Sequence, residues 1–190
     1  DRRLQLSNVS TEFKQHTRVT DLESMQCVKE AVGSTRLTIE SELSMGLPNS
    51  PMHGAHIRVV GGNFITAKPL GIQEGIDFQR AGEVRRIDSA TINEQLESSS
   101  IVLISPIGFS PTGEAFNLSY QDVAGHVAIA LGAEKLILIS KAGAIYDKDR
   151  LLRSLSLPQL AELQETLKDV EHCELLGAAS LACYGGVERV

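Results

Sequence analysis

The sequence predicts an α/β fold with a parallel sheet and helices on its faces. Three observations in one stretch predict it. Residues 101–104, IVLI, are a short apolar run of the kind expected of a strand buried on both faces. Residues 105–116 hold two prolines, two glycines and small polar residues, which is loop chemistry. A helical pattern follows, and residues 136–139, LILI, read as the next buried strand. In that helix Ser119 is the expected N-cap, with Asp122 three residues on in the place of a capping-box acid. Val123, Val127 and Leu131, flanked by Ala124, Ala128 and Ala130, form an apolar stripe, and Gly132 is placed as the stop. A β-loop-α-β unit favours parallel strands. Ligands sit at the carboxyl ends of such strands, which points to Thr112, Gly113, Glu114 and Asn117.

Taken from the start, residues 1–7 read as the tail of a helix and residues 9–16 as loop or extended chain. Thr20 offers an N-cap and Glu23 completes a capping box. Met25, Val28, Val32, Ile39 and Leu43 then predict a helix over about 21–43, bent or broken at Gly33. Residues 45–56 are a Gly/Pro/Asn/Ser loop. Residues 57–60 and 64–68 flank Gly61-Gly62-Asn63, a hairpin signal. Residues 71–75 are another turn. Residues 76–78 and 84–87 flank Arg80-Ala81-Gly82 and predict a second hairpin. Asp88 or Ser89 caps a short helix with Ile92 and Leu96 facing inward. Residues 141–145 form a loop after the second core strand, and residues 151–155 are extended. Pro158 sits in a helical first turn with Leu160, Leu163 and Leu167 continuing the pattern. Residues 174–184 are helical with Gly185 as the stop, and residues 187–190 start a strand.

The 190 residues predict one domain with room for a sizeable core. Hydrophobic residues at 42% and charged residues at 22% are ordinary for a globular protein. The net charge of -6 argues against a nucleic-acid binder that relies on general positive charge. No apolar run of membrane-spanning length and no signal-peptide pattern is present, so a cytoplasmic protein is expected. Cys27, Cys173 and Cys183 are widely spaced and read as reduced thiols, and no close ligand pair for zinc exists. The chain opens on Asp1-Arg2-Arg3-Leu4 without an initiator Met and stops at Val190. It is therefore expected to be a piece of a longer protein.

Most chemistry-bearing residues have ordinary readings. His53 and His56 lie three apart in a Pro/Gly loop without a nearby third ligand, and His126 is expected to be satisfied or exposed. Arg85, Arg86 and Lys68 read as a solvated face with one salt bridge. Ser110-Pro-Thr-Gly is not a nucleophile elbow, and neither G-x-x-x-x-G-K-[ST] nor G-x-G-x-x-G occurs. Asn117, at the mouth of a helix, is either a ligand contact or a turn residue. Arg18 either grips a carboxylate in bidentate fashion or is a surface arginine. These patterns reach an α/β domain with a small-molecule site at strand ends.

Four motifs carry a more specific resemblance: Arg18-Val19-Thr20-Asp21, the run GNFITAKP at 62–69, Arg85-Arg86-Ile87-Asp88, and SPTGEAFNL at 110–118. They resemble the amino-acid-kinase-like domain of the N-acetylglutamate synthases, amino-acid N-acetyltransferases of arginine biosynthesis. The resemblance runs from about Arg3 to Val190. It implies a three-layer α/β/α sandwich with a mainly parallel sheet, here lacking an N-terminal strand-loop. It also implies a homo-oligomer inhibited by L-arginine. A second domain of the GNAT acetyltransferase type, expected after residue 190, would bind acetyl-CoA and L-glutamate. Its pyrophosphate loop, Q/R-x-x-G-x-G/A, does not occur here, so no catalytic residue and no cofactor is expected in these 190 residues.

The related acetylglutamate kinases are the rival. By that resemblance Arg18 and Asn117 fall on positions that hold acetylglutamate. The kinases also carry an Asp four residues after that Asn, organising phosphate-binding lysines, where this chain has Gln121 and then Asp122. Phosphoryl transfer depends on positioned charge, so the missing Asp argues for the synthase. A stand-alone amino-acid-binding regulator is the third reading. The resemblance puts the arginine site near the last helix and following strand, at Tyr184, Gly185, Gly186 and Val187, with Glu188 as a possible charge partner. Glycines there would let backbone carbonyls approach a guanidinium.

Overall fold

A computed structural model describes residues 2–7, 9, 12–14, 17–46, 51, 54, 57–140, 145–147, 150–166 and 170–190 of the chain. The chain folds as two compact units, Asp1–Tyr120 and Gln121–Val190. His53, His56, Leu167 and residues 141–144 of the loop expected at 141–145 lie outside the described residues, as does much of the loop expected at 45–56.

The first unit runs α1 (Arg2–Leu6), β1 (Phe13–Lys14), β2 (Thr17–Arg18), α2 (Leu22–Met45), β3 (Val59–Gly61), β4 (Ile65–Pro69), β5 (Ile72–Gln73), β6 (Ile76–Asp77), β7 (Gly82–Ile87), α3 (Ser89–Glu97), β8 (Ile101–Leu103), β9 (Ile107–Phe109) and β10 (Ala115–Asn117). The second contains α4 (Tyr120–Ala130), whose first residue is the last of the first unit. It continues with β11 (Tyr146–Asp147), β12 (Arg150–Leu151), α5 (Leu157–Thr166) and α6 (Val170–Tyr184).

Strand pairing separates by range. The antiparallel ladders β1–β2, β4–β7, β5–β6, β9–β10 and β11–β12 join neighbouring stretches of chain. Among the described residues the pairings between distant stretches are parallel: β3–β8, β4–β9, and the bridges Thr20–Gln79, Ala81–Asn117 and Lys135–Arg189. The four-stranded sheet has the order β10-β9-β4-β7. The Ala81–Asn117 bridge brings its two edges together, since Asn117 ends β10 and Ala81 precedes β7. Ile65, Ala67, Val84 and Phe116 are buried beside Phe64, Phe78, Ala81 and Leu118. Each large side chain among them contributes about 1.5–3 kcal/mol by leaving water. The curl requires Gly108, where an added Cβ would stand 2.6 Å from the Cβ of Ala67.

Several local expectations change. Gly61-Gly62-Asn63 does not close a hairpin, because β3 finds β8 in parallel while β4 finds β7. Residues 76–78 and 84–87 do not pair with each other either. β6 pairs with β5 across Glu74 and Gly75, whose φ of 49° and 79° are those of a type I′ turn. Residues 105–116 hold the β9–β10 hairpin rather than loop alone. Ile101 is 43% exposed, so the strand there is not buried on both faces. Residues 136–139 form no ladder among the described residues, and Ile137 and Ile139 are 73% and 88% exposed. An apolar run becomes a buried strand only where partner strands and a covering layer reach it.

Helix ends follow local chemistry. Asp21, not Thr20, caps α2, with its carboxylate accepting from the Ser24 amide at 2.7 Å. α2 continues through Gly33 without a break. Asp88 caps α3 through Thr91, and Ile92 is buried, but Leu96 faces solvent. At the start of α5 the Gln159 side chain reaches back to Ser156, whose amide and hydroxyl both donate to Gln159 Oε1. Pro158 occupies the first turn, as expected. Gly132 follows α4 in the left-handed region and forms a Schellman pair with Ala133, donating to the carbonyls of Ile129 and Ala128.

In the second unit α5 packs on α6, and Ala128, Ala182 and Val187 form a buried cluster covered by Ile129, Ala133 and Leu136. None of the three cysteines is in a disulfide. No helix among the described residues is long and apolar enough to cross a membrane.

Candidate functional site

Arg18 and Asn117 come together in the first unit through Thr20. Arg18 sits opposite Phe13 in the β1–β2 ladder, with its guanidinium 4.4 Å from the ring centroid. The side chain is half-buried, and burial lowers its proton affinity, although an arginine stays charged. Thr20 is fully buried. Its hydroxyl donates to the Arg18 carbonyl at 3.3 Å and accepts from Asn117 Nδ2 at 3.2 Å.

The backbone of Arg80 braces this contact. Its amide donates to the Thr20 carbonyl and its carbonyl accepts from the Asn117 amide, both at 2.8 Å. The turn that delivers it passes through Gln79, a non-glycine residue at φ 53°, whose amide donates to Asp77 Oδ1 at 2.9 Å. The Arg80 side chain pairs with Glu114 at 2.5 Å and lies 5.9 Å from the Phe116 ring centroid. Glu114 is held below the usual carboxylate range, first by its hydrogen bond from Arg80 and then by that guanidinium's charge. The Ser110-Pro-Thr-Gly-Glu turn is tied by Ser110 to Thr112 at 2.8 Å and by the Glu114 amide to Ser110 Oγ at 3.1 Å.

The Arg18 guanidinium can grip a carboxylate, and the half-buried Asn117 amide can hydrogen-bond a polar group. The sequence reading found Arg18 and Asn117 but took Thr20 for a helix cap and did not single out Arg80. The visible signal was the Arg-Val-Thr triplet, whose alternation puts Arg18 and Thr20 on one face of an extended segment. Of the other expected site residues, Thr112, Gly113 and Glu114 sit on the exposed β9–β10 turn. Lys68 pairs with Glu83 at 2.8 Å, and His126 Nδ1 meets the Asp122 carbonyl at 2.8 Å.

The second candidate lies in the second unit. Tyr184 is 71% exposed at the end of α6, and Val187 is buried. Gly186 has φ 100°, and Gly186 and Val187 donate to the carbonyls of Cys183 and Ala182 in a Schellman cap. At Gly185 an added Cβ would stand 2.4 Å from Ile129 Cδ1 and Cγ1. Capping and packing thus account for both glycines. Glu188 and Cys183 line a cleft of about 660 Å³ whose walls include Leu136, Leu138, Leu175 and Leu176. In the same unit Gln121 is buried and donates to Glu174 at 2.8 Å.

Comparison with known proteins agrees with this fold. The chain is 48% identical over 188 residues to an amino-acid acetyltransferase of Azotobacter vinelandii, a match covering 98% of this chain and 44% of that protein. The chain thus spans less than half the length of that relative. The crystal structure of N-acetylglutamate synthase from Neisseria gonorrhoeae complexed with coenzyme A and L-arginine superposes with a TM-score of 0.88 at 31% identity, over 98% of this chain and 44% of that one. The same enzyme complexed with coenzyme A and N-acetyl-glutamate gives 0.87 at 32%, over 98% and 42%. The expected α/β fold of amino-acid-kinase type is therefore the fold observed. The model of the amino acid kinase family matches residues 1–190, and the chain belongs to that family.

Proposed function

We propose that this chain is the arginine-sensing and assembly part of an N-acetylglutamate synthase. The carrying observation is its 48% identity, over 98% of its length, to an amino-acid acetyltransferase. The natural protein would transfer acetyl from acetyl-CoA to the amine of L-glutamate, the first step of arginine biosynthesis. The chemistry would reside in a GNAT-type domain outside these residues, with acetyl-CoA as its co-substrate. L-Arginine would act as inhibitor at Tyr184, Gly185, Gly186 and Val187, and Arg18 and Asn117 would form a kinase-like ligand pocket. A cytoplasmic homo-oligomer completes the proposal.

The exposed Tyr184 ring supports the arginine site, since a guanidinium stacks on such a face. The C-terminus of α6 supports it as well, because a helix C-terminus favours cations. The Gln121–Glu174 hydrogen bond disfavours the kinase alternative. It puts a neutral amide where phosphoryl transfer needs a carboxylate.

The test is an assay of the natural protein carrying this chain. Thiol release from acetyl-CoA that depends on L-glutamate and falls with added L-arginine supports the reading. Phosphorylation of acetylglutamate by Mg-ATP would overturn it in favour of the kinase. Arginine binding without either activity would leave a stand-alone regulator.

A further inference from the structure

No further inference is drawn: the strongest candidate, the apolar cleft of the second unit lined by residues of 135–140, α5 and α6, carries nothing, because nothing in the structure shows what covers it.

Discussion

Asn117 and Thr20 lie 97 positions apart and meet through one hydrogen bond of 3.2 Å, Nδ2 to Oγ1. The Arg80 peptide spans the same gap with a 2.8 Å bond to each residue. Three stretches of chain are thereby fixed at one point: the approach to α2, the turn before β7 and the end of β10. A ligand held there would read the positions of all three.

The start of α2 should be pH-sensitive. Asp21 is held below the usual carboxylate range, first by its bond from the Ser24 amide. A depressed folded-state pKa means that the stabilisation is complete above the unfolded value, about 3.9, and is lost as pH falls through the folded one. Asp21→Ala should cost about 1 kcal/mol at pH 7. Urea unfolding should show that cost shrinking below about pH 3.9. A cost unchanged by pH would count against the charged cap.

Gly185→Ala should destabilise by about 1–3 kcal/mol, because its Cβ has nowhere to go against Ile129. Ile129→Val in the same chain should recover part of the loss, since it removes Cδ1, one of the two nearest atoms. Additive losses in the double variant would show that the contact is not the cause.

Arginine binding is best probed at Tyr184. The side chain is exposed, so Tyr184→Ala should weaken arginine binding several-fold with the thermal midpoint nearly unchanged. Gly186→Val is a poor probe, because φ 100° strains any β-branched residue and the cap of α6 is lost along with any site. Unchanged arginine affinity in Tyr184→Ala moves the arginine site elsewhere.

The Arg80–Glu114 pair is partly exposed, and its effect should be screened by salt. Glu114→Gln should lower the thermal midpoint slightly at low ionic strength, and the difference should vanish near 1 M salt. A difference that persists would assign the effect to packing around Thr112 and Ser110.

The elements legible in the chain are those closed by neighbours in sequence. Asp88 and Thr91 start α3, Ser156 and Gln159 start α5, and Gly132 stops α4, each through bonds spanning a few residues. The motifs singled out Arg18 and Asn117, and the fold links the two through Thr20. Partner choice was not legible. Val59 and Val60 stand before a Gly-Gly-Asn turn signal, yet pair with Ile101 and Val102. Thr20 looks like a helix cap, yet spends its hydroxyl on Arg18 and Asn117. Gly185 looks like a helix stop, yet its lack of a Cβ is needed by Ile129. A cap is decided by which groups lie within a turn of one another, which sequence order states directly. A strand partner or a buried hydroxyl's partner is decided by which distant groups the closed sheet brings within 3.5 Å, and loop-closure entropy is overcome only by the core that forms with it.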